Sequence, residues 1–174
     1  MKKLLIVIDY QNDFVSGSLG FDQAVNLEEH LVSLINTYHE NNDDVIFTLD
    51  THQENYLDTQ EGQKLPIVHC VENTDGWQLY GKVRAVAKND KKILKNTFGS
   101  LELGNYLKNK DYQEITLVGV VSNICVISNA IIVKAALPEA KITVDYQGIA
   151  SNDETLQQKA LDILKNLQID IIGC

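Results

Sequence analysis

No stretch of this sequence approaches the ~20 consecutive apolar residues of a membrane-crossing helix, which excludes a helical span. Basic residues are also scarce: 15 Lys and Arg against 24 Asp and Glu leave a formal charge of −9. Phosphate backbones and anionic membranes are both bound through Lys and Arg, so neither nucleic acid nor a membrane surface is an expected partner. Three cysteines, Cys70, Cys125 and Cys174, cannot all pair within one chain. Free thiols, and hence a reducing, cytoplasmic compartment, are expected. Several motifs are missing, namely G-x-x-x-x-G-K-[ST], G-x-G-x-x-G, paired C-x-x-C, H-E-x-x-H and G-x-S-x-G. Phosphate cradling, dinucleotide binding and serine hydrolysis therefore lack local support. The first residues resemble a signal peptide only briefly, because Asp9 and the polar stretch after it end the apolar run too early.

What is present is an ordinary globular composition, with 174 residues, 44% apolar and 22% charged. That predicts a single domain over 1–174, with no linker, repeat or low-complexity segment. The continuous apolar run at 4–8 reads as a strand buried on both faces, and 45–49, 92–95, 115–121, 142–144 and 169–172 read as further strands. Helices are expected from Asn26 with Glu29 three residues on, carrying Leu27, Leu31, Leu34, Ile35 and Tyr38 at helical spacing. Further helices are expected at 100–109, at 124–136, weakly at 77–87, and at 153–167 with Leu156, Ala160, Ile163, Leu164 and Leu167 on one stripe. Residues 51–76 read as a long irregular loop, a kind of segment that is usually functional or mobile. The alternation predicts a doubly wound α/β fold: a mostly parallel six-stranded sheet with helices on both faces, in three layers.

Ligands of such sheets bind beyond the carboxyl ends of the strands, and there the chemistry-bearing residues gather. Asp9, Asp50 and Lys95 each end a predicted strand, and Cys125 follows another at the start of a helix. Cys125 reads either as a packed structural thiol or as a nucleophile whose thiolate a helix N-terminus would favour. Asp9 reads as a loop cap or as a general base, and Lys95 as a solvated lysine or as a cation lowering the thiol pKa. Asp50 and His52 stand two apart in an extended segment, with His69 seventeen residues further on and Glu61 between them. One Asp and two His suit a divalent metal, or else simple loop hydrogen bonding. His30 and His39, nine apart on one helix, cannot share a metal. Cys70 reads as packing and Cys174 as incidental.

Three segments resemble the isochorismatase-like cysteine hydrolases: Asp9-Tyr10-Gln11-Asn12-Asp13-Phe14, Lys95 with Phe98-Gly99-Ser100 after it, and Gly119-Val120-Val121-Ser122-Asn123-Ile124-Cys125-Val126. They follow the family's order and spacing, and the resemblance spans nearly the whole chain. It implies a triad of Asp9, Lys95 and Cys125, a cis peptide between Val120 and Val121, and an oxyanion hole from the N–H groups of Val121 and Cys125. Asp50-Thr51-His52 with His69-Cys70 is similar to the nicotinamidase and pyrazinamidase branch. That implies a divalent metal, zinc with iron or manganese as alternatives, on Asp50, His52 and His69, with Glu61 where some members place a further ligand. There the metal holds the pyridine nitrogen and does not attack the amide. Phe14 matches the aromatic residue that packs on the substrate ring, and Trp77 is expected to help. Many nicotinamidases carry a pocket tryptophan just before the second histidine, where Ile67 and Val68 stand here. The implied activity is hydrolysis of nicotinamide to nicotinate and ammonia through a cysteine thioester. Hydrolysis of another small amide or ureido compound is the alternative, and a silent binding protein of the same fold is a second. The family also implies a homo-oligomer, a dimer or tetramer.

Overall fold

Leu4-Leu5-Ile6-Val7-Ile8 has no polar side chain to offer water on either face, and it forms β1 (Lys3–Ile8), a fully covered inner strand. Alternate residues of a strand point to opposite faces. Leu4, Ile6 and Ile8 accordingly enter one core with Leu103, Val126, Val133 and Leu164, while Leu5 and Val7 enter a second with Leu31, Ile35 and Val83. Two cores on one sheet make the three layers. The structure, a computed structural model, describes residues 2–87 and 89–174.

The other strands are β2 (Asp44–Asp50), β3 (Lys91–Lys95), β4 (Glu114–Val120), β5 (Lys141–Ala150) and β6 (Asp170–Ile172). All pair in parallel, in the order β3-β2-β1-β4-β5-β6. The order reverses between β1 and β4, and the crevice at such a switch point is where open α/β sheets place their ligands. The helices are α1 (Asn12–Val15), α2 (Asp22–Val25), α3 (Glu28–Glu40), α4 (Gln60–Lys64), α5 (Gly81–Val86), α6 (Leu101–Leu107), α7 (Ile127–Ala136) and α8 (Glu154–Asn166). α3 and α5 cover one face of the sheet; α6, α7 and α8 cover the other. No helix of the described residues is long and apolar enough to cross a membrane.

The fold expected from the alternation is the fold observed, with local differences. Asn26 does not cap the long helix; it ends α2, and its N–H donates to Asp22. The chain stays helical through Leu27, so no extended residue is available to serve as a cap. The 51–76 segment contains a 3₁₀ turn (Tyr56–Asp58) and α4, each too short to leave a helical period in the sequence. Of 77–87, only Gly81–Val86 is helical. The predicted 124–136 helix opens with a π-helical turn at Ser122–Val126, so Cys125 sits in that turn and not at the first residue of α7. β5 runs well past Val144, because its pairing with β4 resumes at Ile149 after an irregularity. On α8 the buried residues are Ala160, Leu161 and Leu164, whereas Leu156, Ile163 and Leu167 stay largely exposed.

One glycine is essential to the switch point. Gly119 has φ +113°, and a Cβ there would lie 2.1 Å from the Ile8 carbonyl oxygen, a rigid backbone atom of β1. Gly119→Ala is expected to cost roughly 2 kcal/mol or more. A urea unfolding midpoint unchanged from the unaltered protein would show that β1 and β4 do not approach as described.

Candidate active site

Four of the six strand ends each deliver one side chain to the same crevice. Asp9 follows β1, Asp50 and Lys95 close β2 and β3 as a ladder pair, and Cys125 follows β4. The side chains of Asp9, Lys95 and Asp50 are 0%, 2% and 5% exposed. The Lys95 ammonium lies 2.6 Å from Asp9 Oδ2, 3.1 Å from Asp50 Oδ1 and 3.8 Å from Cys125 Sγ. Its contact with Asp9 is an ion contact, not a well-aligned hydrogen bond. Lys95 also donates to the Thr97 carbonyl at 2.9 Å. Asp9 takes the left-handed backbone at φ +46°, and its other oxygen accepts from Thr48 Oγ1 at 2.7 Å. A non-glycine residue held there marks a site whose surroundings over-determine it.

The electrostatics follow from burying four polar groups together. Burial works against the Lys95 ammonium, but Asp9, Cys125 and Asp50 outweigh it and hold the lysine charged well above its ordinary range. Burial pushes the Asp9 carboxyl up, against the pull of Lys95. Burial also pushes the Cys125 thiol well up; the negative charge of Asp9 adds to this, and Lys95 opposes it. The expected depression of the thiol pKa is therefore not found in the resting site, because desolvation of a buried thiolate outweighs one neighbouring cation. What the site holds is a thiol beside a carboxylate of raised basicity.

The second oxygen of Asp50 faces two imidazoles. Asp50 Oδ2 lies 3.0 Å from His52 Nε2 and 3.5 Å from His69 Nε2. Glu61 Oε1 lies 3.7 Å from His52 Nε2 and 3.8 Å from His69 Nε2. One ligand atom from each of the four lies within 4.8 Å of the others. Atoms bound to one zinc at ~2.0–2.2 Å sit roughly 3.3 Å apart in a tetrahedron, so the donor set fits a divalent ion with slight contraction. Its charge fits too, since two carboxylates balance a dication. The ring contact of His69 Nδ1 with the Ile67 carbonyl at 2.7 Å puts the proton on Nδ1 and leaves Nε2 as the donor atom. Burial would raise Asp50, yet contacts from His52 and His69 and the Lys95 charge outweigh it and hold Asp50 well below the usual carboxylate range. Glu61 is raised, by burial and by Asp50.

Asp50, Glu61, His69 and Cys125 open onto one cavity of about 210 Å³, walled by Phe14, Leu19, Phe21, Leu65, Phe98, Val121 and Ile124. That volume suits a small ring and excludes a peptide. A wider groove of about 620 Å³ beside α8 contains none of these groups. The Val120–Val121 peptide is cis.

Of the residues expected from sequence, Asp9, Lys95, Cys125, Asp50, His52, His69 and Glu61 are brought together, and Phe14 and Val121 line the cavity. Trp77 does not line it. Its indole N–H donates to Thr51 Oγ1 at 2.9 Å, and its ring packs against the core on the α3 and α5 face of the sheet. Cys70 is buried packing, and Cys174 is exposed. His30 and His39 pair separately with Asp145 and Asp90. Sequence reading missed Thr48, a lone hydroxyl in an apolar strand. It also missed Tyr56, whose ring packs edge-on against both His52 and His69. Asn129, a lone amide in an apolar helix, donates to the carbonyls of Cys125 and Phe98.

Sheet order, switch point and cavity define a three-layer α/β protein with a small-molecule site at the carboxyl edge of its sheet. The chain belongs to the isochorismatase family: the model of the Isochorismatase domain matches residues 3–173. The isochorismatase family protein PncA of Bacillus subtilis is 31% identical over 95% of this chain and 96% of its own. The crystal structure of nicotinamidase/pyrazinamidase PncA from Bacillus subtilis matches with a TM-score of 0.88 and 28% identity, over 99% of this chain and all of that one. A nicotinamidase of Saccharomyces cerevisiae is 26% identical over 98% of this chain and 99% of its own. The fold is also that of the pyrazinamidase of Pyrococcus horikoshii in complex with zinc, at a TM-score of 0.85 and 22% identity over the full length of both chains.

Removing the Lys95 charge tests the electrostatics. Lys95→Met leaves the buried Asp9 carboxylate with no cation and takes one partner from Asp50, and is expected to destabilise the fold by about 3–5 kcal/mol at pH 7. Without the cation Asp9 binds its proton still more tightly in the folded than in the unfolded state, so the deficit shrinks as pH falls towards 4. A deficit that stays constant between pH 7 and pH 4 in urea titrations would contradict the arrangement.

Proposed function

We propose that the protein is a cysteine-dependent amidohydrolase that converts nicotinamide to nicotinate and ammonia. The observation that carries this reading is the buried Lys95 ammonium in contact with both Asp9 and Cys125, the last of which opens onto a small cavity. Relatives named nicotinamidase support the substrate.

Asp9, the carboxylate of raised basicity, takes the proton from Cys125 Sγ as the sulfur adds to the carboxamide carbon. Burial favours the neutral thiol in the resting site, so the proton leaves Cys125 for Asp9 as the sulfur attacks. The N–H groups of Val121 and Cys125 hold the oxyanion. Collapse breaks the C–N bond, and Asp9 returns its proton to the leaving ammonia. Water then adds to the thioester with Asp9 again as base; nicotinate leaves and the thiol is restored. Lys95 stays charged throughout and holds Asp9 in place. Phe14, with Phe21 and Phe98, walls the cavity against the ring. Asp50, His52, His69 and Glu61 would hold a divalent metal, zinc by the donor set, with iron or manganese as alternatives. When bound, that ion supplies a Lewis-acid anchor for the ring nitrogen.

Purified protein supplied with Zn²⁺, Mn²⁺ or Fe²⁺ is expected to release ammonia from nicotinamide. Cys125→Ala should lower the rate by at least about 10³-fold and Asp9→Asn by about 10²–10⁴-fold. Full activity in either variant defeats the assignment, and turnover of other small amides with none of nicotinamide defeats the substrate. His69→Ala should no longer retain stoichiometric metal by elemental analysis; retention in this variant would remove His69 from the ligand set.

A further inference from the structure

β1 makes its last ladder pair at Ile8 opposite Thr48, and Asp9 then turns the chain out of the sheet. The Asp9 N–H still donates to the Thr48 carbonyl at 3.2 Å. β2, however, continues to Asp50. Alternate residues of a strand present their N–H and C=O to the same neighbour, so Asp50, like Thr48, faces the side that β1 has left. The opposite side is already taken, where the Thr51 N–H donates to the Lys95 carbonyl at 2.7 Å. Two backbone groups of Asp50 therefore need partners in a buried place.

Gln11 supplies both. Its Nε2 donates to the Asp50 carbonyl at 2.8 Å, and its Oε1 accepts from the Asp50 N–H at 2.7 Å. A primary amide presents a donor and an acceptor much as a peptide group does. The second Nε2 hydrogen goes to the Trp77 carbonyl at 2.9 Å. Gln11 is completely buried.

We infer that Gln11 is a positioning residue: its side-chain amide continues the β-ladder beyond the end of β1. It thereby fixes the Asp50 carboxylate that Lys95 shares with His52 and His69. Each oxygen of that carboxylate has its own partners, so a small rotation of Asp50 would disturb the lysine and the metal ligands together. The consequence for turnover rests on the function proposed above; the consequences for the Asp50 amide and for metal binding do not need turnover.

The test compares Gln11→Met, which keeps the volume and loses the hydrogen bonds, with Asn129→Leu. Asn129 is another fully buried amide, bonded to Phe98, Ser100 and Cys125 and not to Asp50. Gln11→Met should raise hydrogen exchange of the Asp50 amide by about 100-fold, weaken Co²⁺ binding by about 10–100-fold and lower kcat more than it raises KM. Asn129→Leu should leave Asp50 exchange and Co²⁺ affinity within about 3-fold. If Gln11→Met does not fold, Gln11→Asn, one methylene short, should show the same changes in smaller measure. Unchanged Asp50 exchange overturns the inference. So does faster exchange with Co²⁺ affinity and kcat intact, which would leave Gln11 merely structural, and so does equal metal loss in Asn129→Leu. If the unaltered protein binds no Co²⁺ or leaves nicotinamide intact, the function proposed above fails instead, and Asp50 exchange still decides for or against Gln11.

Discussion

A single buried ammonium organises this site. Lys95 sits at the end of β3 with its charge enclosed by two carboxylates and a thiol, and taking such a cation out of water is costly unless its partners are close. Asp9 and Asp50 are close, because β2 and β1 follow β3 in the sheet and end at the same edge. Removing Lys95 would strand Asp9 in a low-dielectric setting with no cation beside it. The crevice at the sheet edge is thus an electrostatic unit before it is anything chemical.

Asp50 extends that unit. One of its oxygens meets Lys95 and the other meets the two histidines, so the lysine-centred cluster and the candidate metal ligands are joined through one carboxylate. The backbone around this junction is unusually constrained. Asp9 and Cys70 both adopt positive φ. The Cys70 carbonyl accepts from the His52 N–H, and the Cys70 N–H donates to Asp13. Two ligand-bearing segments far apart in sequence are therefore tied by main-chain bonds, and the imidazoles inherit their positions from the ties.

Much of this was legible beforehand. Uninterrupted apolar strands alternating with amphipathic helices can satisfy burial on both sheet faces in few ways, so the doubly wound architecture followed from periodicity. The strand-end positions of Asp9, Asp50 and Lys95 followed from the same runs, since each is the charged residue at which its apolar run stops. Elements of three to five residues were illegible, because a 3₁₀ turn at Tyr56 or a four-residue helix at Asn12 completes too little of a period to be seen. On α8 the stripe included Ile163 and omitted Leu161; these lie on nearly opposite faces of a helix, and the packing of α8 buries Leu161.

What the sequence determined by itself is the set of groups and the edge of the sheet to which they belong: the apolar lengths of the strands dictate where each polar side chain emerges. Only the tertiary structure decided how those groups act on one another. Proximity of a lysine suggested an acidic thiol, yet burial raises the Cys125 pKa, since desolvation depends on atoms from every layer of the fold. Trp77 was a candidate for the cavity by family resemblance, and packing turned it towards the core. The role of Gln11 depends on where β1 leaves the sheet and β2 does not, a difference between two strands that no single stretch of sequence contains.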